Sequence, residues 1–139
     1  MEATTQFNTG EYTVLLVNSN HHVRCEQGAL LRREGYQTLD FGLAIELLAA
    51  PTHVFHCSCV LSELALPDMN SVDMVRSMRE RAISTPVIVL TEHADVRTAV
   101  HALRNDVTDF LLRPIAEHDL LKRVENALQR VAAQPQPAY

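Results

Sequence analysis

Short apolar runs alternate with amphipathic stretches along the chain, and this alternation predicts five strands and five helices. Strands are expected at the apolar runs 12–17, 36–40, 54–62, 86–91 and 107–112. Apolar residues recur at helical spacing between and after them, which predicts helices at 21–34, 43–50, 70–81, 96–103 and 120–131. Runs that are apolar on both faces are typical of parallel strands covered on both sides by helices.

The turn residues fit this alternation and favour one sheet order. Asn20 is a suitable N-cap for the first helix, Gly35 ends that helix, and Asn105-Asp106 offers a left-handed cap after the fourth helix. Strands joined by helices through short loops predict an α/β three-layer sandwich of the flavodoxin-like (βα)5 type. We expect a parallel sheet in the order 2-1-3-4-5.

The length and the composition at the two ends predict one domain with short extensions. A chain of 139 residues is long enough for a single hydrophobic core. We expect residues 1–11 to form a flexible arm, residues 12–131 to form the domain, and residues 132–139 to form a tail or the start of a linker. The Gln-Pro-Gln-Pro sequence in that tail is compatible with an output domain further downstream.

Composition and charge exclude several classes of function. The chain is 47% hydrophobic and 21% charged, with a net charge of −5 and no basic run, so we expect no direct nucleic-acid binding. The first eleven residues lack the basic start and apolar core of a signal peptide, and no apolar run approaches about 18 residues, so we expect a soluble cytoplasmic protein that does not enter the membrane. Cys25, Cys57 and Cys59 form no paired Cys-x-x-Cys units, and we expect reduced thiols.

Polar residues follow the ends of four predicted strands, where open α/β sheets place their chemistry. Asn18, Ser19 and Asn20 follow the first strand, and Glu63 follows the third, on either side of the point where the strand order reverses. Thr91 and Arg113 end the fourth and fifth strands at the same edge of the sheet. We therefore expect these side chains to converge on Glu63.

Three segments carry a resemblance to a known family over residues 12–131. Segment 66–71, Leu-Pro-Asp-Met-Asn-Ser, resembles an M-P-x-M-x-G loop, and segment 89–96 resembles the fourth strand of the same family and the loop after it. Segment 109–114, Asp-Phe-Leu-Leu-Arg-Pro, resembles a D-F-x-x-K-P signature in which the Lys-Pro bond is cis. The chain thus resembles the CheY-like receiver domain of bacterial two-component response regulators.

The resemblance implies phosphoryl transfer from a kinase histidine to an aspartate, with Mg²⁺ held by that aspartate and an acidic pair. It places the acceptor at Glu63, the acidic pair within Asn18, Ser19 and Asn20, the hydroxyl at Thr91, the lysine at Arg113 and the aromatic switch residue at Phe110. Only the hydroxyl agrees with the family. We therefore expect Mg²⁺ binding to be lost or weak, because Mg²⁺ prefers carboxylate oxygens in octahedral geometry.

Our leading hypothesis is a degenerate receiver domain that is not an enzyme and works without phosphorylation. Arg113 is expected to pair with Glu63 in bidentate fashion, as a permanent substitute for a phosphorylated contact, with Phe110 turned inward. The domain would regulate an output, with transcription favoured, through protein contacts. The resemblance also implies a homodimer formed through the fourth helix, fifth strand and fifth helix.

Other interpretations remain open at this stage. Glu63 could be an ordinary solvated carboxylate, or the chain could accept a phosphoryl group on Asp68 or Glu63 with a rearranged metal site. A metal or ligand sensor could use the histidine-rich rim of His21, His22 and His93. A second metal group, within His53-x-x-His56-Cys57-x-Cys59, is disfavoured because alternate residues of a strand point to opposite faces.

Overall fold

Five parallel strands form one sheet, as the sequence predicts. The computed structural model describes residues 7–92 and 95–134. The strands are β1 (Thr13–Val17), β2 (Gln37–Phe41), β3 (Ser58–Glu63), β4 (Val87–Thr91) and β5 (Asp109–Leu112). Their spatial order is β2-β1-β3-β4-β5, which confirms the flavodoxin-like 2-1-3-4-5 arrangement.

Helices connect the strands and cover both faces of the sheet. They are α1 (His21–Arg33), α2 (Ala44–Leu48), α3 (Ser71–Glu80), α4 (Val96–Arg104) and α5 (Glu117–Ala132). One hydrophobic cluster joins α1 and α5 to the sheet, and a second joins α2, α3 and α4 to its other face. Neighbouring residues of β1 divide between the clusters, Leu15 in one and Leu16 in the other, as a strand buried on both faces requires.

The third strand begins later than the sequence predicts. Residues Thr52–Phe55 form a short 3-10 helix after Pro51, and β3 begins only at Ser58. Cys57 has a φ of 51°, a left-handed conformation that interrupts an extended strand. Val54 and Phe55 of this helix pack in the core. Their apolar side chains therefore extend the apolar run of β3 in the sequence, which is why the predicted strand began too early.

Residues 7–11 pack on the domain, where the sequence predicts a flexible arm. The Phe7 ring stacks on Tyr12 with a centroid distance of 4.8 Å. The Thr9 hydroxyl donates a hydrogen bond of 2.8 Å to the Glu34 carbonyl, and the Gln37 side chain donates one of 3.0 Å to the Gly10 carbonyl. Residues 1–6 of the expected arm and 135–139 of the expected tail lie outside the described residues.

Three helices end with a left-handed residue, but only one of these residues is glycine. Gly35 after α1, Ala82 after α3 and Asp106 after α4 have φ values of 98°, 60° and 67°. After α3, the Ile83 N–H bonds the Met78 carbonyl and the Ala82 N–H bonds the Arg79 carbonyl, which is a complete Schellman motif. The left-handed cap expected at Asn105-Asp106 is confirmed at Asp106, whereas the sequence gives no signal for Ala82.

Candidate functional site

The parallel register brings the ends of four strands together at one edge of the sheet. Val17, the last residue of β1, pairs with Ser62, and Glu63 pairs with Leu90 of β4. Thr91 in turn pairs with Leu112 of β5. The residue that follows each strand end is therefore held beside its neighbours by the backbone pairing of the sheet.

Glu63 is held by two donors at this edge. Arg113 Nη1 donates to Glu63 Oε1, and Asn18 Nδ2 donates to the same oxygen at 3.3 Å. The side chains of Glu63 and Arg113 are only 18% and 21% exposed. The expected Glu63–Arg113 pair is present, but it is not bidentate, because Arg113 Nη2 is buried and has no hydrogen-bond partner among the described residues.

The segment after β1 has neutral side chains, and two of them are engaged locally. Asn18 is buried, and its Oδ1 accepts a hydrogen bond of 2.9 Å from the Asn20 N–H. Asn20 caps α1, since its Oδ1 accepts from the Val23 N–H at 3.2 Å. Ser19 is exposed. Of the three residues predicted at this position, Asn18 is the one whose side chain bonds Glu63.

Thr91 is the last residue of β4, whereas Phe110 is the second residue of β5 and pairs with Val89. Thr91 is buried. Phe110 is partly buried and packs against the cluster that joins α2, α3 and α4 to the sheet, so it lies neither fully inward nor fully outward. The Arg113–Pro114 bond is cis, as the sequence resemblance implies.

Asp68 has a role that the sequence does not reveal. Its carboxylate accepts hydrogen bonds from the backbone N–H groups of Ala44, at 3.0 Å, and Ile45, at 2.8 Å, and so caps α2 from a distant loop. These N–H groups, that of Ile45 foremost, hold the pKa of Asp68 below its usual value. Asp68 is thus bound to the first turn of α2, while Glu63 bonds Arg113 and Asn18.

The segment that leads into α3 differs at Ser71 from the loop that it resembles. Ser71 replaces the glycine of the resembling loop, and its side chain is completely buried. Its Oγ has no hydrogen-bond partner in the part of the chain that the structure describes. The Ser71 N–H does bond the Leu64 carbonyl at 2.8 Å, so the backbone tethers this loop to the end of β3.

The histidines and cysteines that the structure describes do not form a closed metal site. Among residues 7–92 and 95–134, no three His, Cys, Asp or Glu side chains are grouped so that they could hold a metal ion. Cys59 is fully buried, and burial raises the pKa of its thiol to about 12. His93, one of the expected rim histidines, lies outside the described residues.

Comparison with known proteins agrees with this architecture. The response regulator receiver domain family matches residues 14–125. The transcriptional regulatory protein FixJ of Rhizobium meliloti (strain 1021) is 28% identical over 123 residues, which cover 88% of this chain and 60% of FixJ. DctD of Pseudomonas aeruginosa, a C4-dicarboxylate transport transcriptional regulatory protein, is 32% identical over 84% of this chain and 25% of its own length.

Solved structures of response regulators have the same fold as this chain. The crystal structure of FixJ-N superposes with a TM-score of 0.78 at 29% identity and covers 85% of this chain and 94% of that one. The low-resolution structure of the response regulator StyR gives a TM-score of 0.80 at 26% identity, covering 88% of this chain and 62% of StyR.

The curated relatives are longer than this chain. The chain spans about three fifths of the length of the first curated relatives that it matches. No helix within the described residues is long and apolar enough to cross a membrane. The family match covers most of the chain, and the strand order fits it. The chain belongs to the response regulator receiver domain family of two-component signal transduction.

Proposed function

We propose that this receiver domain works without phosphorylation and transmits its signal through protein contacts. One observation carries the proposal: the Glu63 carboxylate, at the position where the family places its phosphoacceptor, bonds both Arg113 and Asn18. Both hydrogen bonds go to Oε1, and the charge they neutralise makes the carboxylate a weaker nucleophile toward a phosphoryl group. The domain would thus act as a signalling module and not as an enzyme.

The side chains around Glu63 do not fit the Mg²⁺ site that the family implies. Mg²⁺ favours carboxylate ligands, whereas the segment after β1 offers the amides of Asn18 and Asn20 and the hydroxyl of Ser19. Asn18 Oδ1 already accepts the Asn20 N–H, and Asn20 Oδ1 accepts the Val23 N–H. The guanidinium of Arg113 also bonds the Glu63 carboxylate, which a metal ion would need as a ligand. Its positive charge would repel the ion.

The Glu63–Arg113 pair offers a fixed substitute for the contact set of a phosphorylated receiver. Glutamate carries its charge one methylene further from the strand than aspartate, toward the place where an aspartyl-phosphate would lie. Arg113 contacts that charge from the position of the family's lysine. Thr91 and Phe110 would then be held in one arrangement by the same permanent charge, in place of switching between two.

Exposure to a small phosphodonor tests this proposal. After incubation with acetyl phosphate and Mg²⁺, we expect the intact mass of the protein to be unchanged. A receiver domain that retains the family's aspartate, acidic pair and lysine serves as the positive control and should gain about 80 Da. A stoichiometric adduct of that mass on this chain would contradict the proposal.

The site of any adduct would distinguish the remaining interpretations. Phosphorylation at Glu63 would mean that the hydrogen bonds from Arg113 and Asn18 to Oε1 do not suppress the reactivity of this carboxylate. Phosphorylation at Asp68 is disfavoured, because its two oxygens cap α2 through the N–H groups of Ala44 and Ile45. Peptide mapping of the modified protein locates the group and so separates these two cases.

The output is proposed from the relatives. FixJ and DctD are transcriptional regulators of which this chain matches only a part. We infer that this domain also serves a transcriptional output through a partner or a further domain, and that its acidic character leaves DNA contact to that other part.

The surface of α4 and β5 supports the proposed dimer. Val96, Val100 and Leu103 of α4 are 81%, 40% and 52% exposed, and Leu112 of β5 is 54% exposed. Ala102 is the one residue of α4 that is buried. An apolar stripe at i, i+4 and i+7 that points to solvent is typical of a helix that packs against a partner. The NtrC4 receiver domain, a structural relative, forms a dimer in its beryllofluoride-activated state.

Replacing Leu103 with glutamate tests the dimer surface. We expect Leu103→Glu to weaken self-association by about tenfold or more, because a charge would be buried in an apolar contact. Ile45→Glu is the matched control, since Ile45 of α2 is 53% exposed and lies outside this surface. Sedimentation equilibrium measures both. Equal effects of the two substitutions, or no self-association of the unmodified protein, would contradict the assignment.

A further inference from the structure

The exposed face of α1 carries a histidine and a cysteine one helical turn apart. His21 Nε2 lies 3.4 Å from Cys25 Sγ, and both residues are exposed. Residues at i and i+4 lie on the same face of a helix, so the backbone of α1 holds the two side chains together. Neither residue has a part in the contacts around Glu63 described above.

The separation of these two atoms fits two ligands of one tetrahedral ion. Zinc binds a histidine nitrogen at about 2.0–2.1 Å and a cysteine sulfur at about 2.3 Å, and a tetrahedral angle then separates nitrogen from sulfur by about 3.5 Å. The observed distance of 3.4 Å between the two atoms is close to this separation. Imidazole and thiolate also form the ligand set that zinc prefers over Mg²⁺ or Ca²⁺.

One chain supplies only half of such a site. Within the described residues no third His, Cys, Asp or Glu joins the pair to form a metal-binding group. His22 and Glu26 are adjacent in the sequence to His21 and Cys25. Their side chains bond each other, with His22 Nε2 3.0 Å from Glu26 Oε1. A closed structural zinc site has four protein ligands, so the remaining two must come from elsewhere.

We propose that two copies of this chain bind one zinc ion through His21 and Cys25 of each. A two-fold axis through the ion would bring the two α1 helices together and complete a His₂Cys₂ tetrahedron. Each histidine would bind through Nε2, and each cysteine would bind as a thiolate after releasing its proton to solvent. Cations other than zinc with the same ligand preference would compete for the site.

The surroundings of His21 allow this binding at the cost of one long contact. Arg24 Nη2 lies 3.4 Å from His21 Nδ1, and binding through Nε2 would leave the ring proton on Nδ1 and break that contact. Arg24 would stay in place, because its Nε bonds Asp40 at 3.0 Å and its Nη1 bonds the Asn18 carbonyl. The two thiolates of the site balance the charge of the ion.

The zinc-linked contact is separate from the dimer surface proposed above. Buried residues of α1 belong to the cluster on one face of the sheet, and the buried residue of α4 belongs to the cluster on the other face. Zinc would therefore join chains at a second place and would raise the mass of whatever assembly exists without it. The inference depends on neither the dimer surface nor the absence of phosphorylation.

Cobalt titration of the reduced full chain tests the site directly. Co²⁺ substitutes for zinc, and we expect saturation at one ion per two chains, with tetrahedral visible bands and a sulfur-to-cobalt charge-transfer band. His21→Gln and Cys25→Ser should each abolish both signals. His22→Gln and Cys57→Ser, which remove another α1 imidazole and another thiol that is not fully buried, should leave them unchanged.

Light scattering with Zn²⁺ gives the second readout. The molar mass should at least double when Zn²⁺ is added and should return to its starting value with a chelator. Saturation at one ion per chain, absence of the sulfur band, an unchanged mass, or equal loss in the two control variants would each overturn the shared site. Circular dichroism of every variant verifies that the helices are intact.

Discussion

Restoring the family's charged residues should give this domain saturable Mg²⁺ binding. The variant combines Asn18→Asp, Ser19→Asp, Glu63→Asp and Arg113→Lys, and leaves Asn20 in place because it caps α1. These changes supply carboxylate oxygens after β1, shorten the acceptor side chain and remove the guanidinium that bonds Glu63. We expect calorimetry to change from no saturable heat to a saturable isotherm, followed by uptake of beryllofluoride.

A charge-matched control separates a built site from simple attraction of a cation. Asn126→Asp with Gln129→Glu adds the same two negative charges on exposed positions of α5. This control should bind no Mg²⁺ saturably. If the restored variant also fails while its fold is intact, more than these side chains separates the domain from its phosphorylatable relatives, and the explanation based on the side chains around Glu63 would be incomplete.

Replacing Arg79 with alanine should lower the free energy of unfolding by about 2–4 kcal/mol. Arg79 Nη1 donates to the carbonyls of Ile83 and Thr85 at 2.8 and 2.9 Å, and Nη2 donates to the Asp106 carbonyl at 3.0 Å. One guanidinium thus joins the loop after α3 to the loop after α4. Its removal would leave carbonyl groups of the buried residues Ile83 and Thr85 without this donor.

Arg33→Ala is the comparison for this prediction. Arg33 lies 3.6 Å from Glu117, and both side chains are more than half exposed, so the loss should stay within about 0.5 kcal/mol. Urea unfolding monitored by far-UV circular dichroism measures both variants. Similar midpoints for Arg79→Ala and Arg33→Ala would show that the Arg79 contacts contribute little to stability.

The convergence of the site residues was predictable because it follows from strand topology alone. Once the order 2-1-3-4-5 is set, the residues after β1 and β3 must lie beside each other, and Arg113 at the end of β5 lies on the same edge. The pair between Glu63 and Arg113 follows from their opposite charges. The single hydrogen bond between them, in place of a bidentate pair, could not be predicted from the charges. It depends on how Arg113 is packed and on Asn18, which donates to the same oxygen.

Features that depend on contacts between distant segments could not be predicted in the same way. Asp68 caps α2 from a position 24 residues further along the chain than Ala44, and no local pattern reports that approach.

The polar first turn of α5, from Glu117, precedes the apolar stripe, so the predicted helix began late at residue 120. Ala82 takes a left-handed conformation with no glycine to indicate it.

A calorimetric titration of the unmodified protein with Mg²⁺, followed by beryllofluoride in the same cell, tests the central claim most directly. Our account predicts no saturable heat in either stage, because Glu63 is engaged by Arg113 and Asn18 and no acidic pair follows β1. Saturable Mg²⁺ binding followed by beryllofluoride uptake would contradict it, and would mean that these neutral residues still support the chemistry of a phosphorylated receiver.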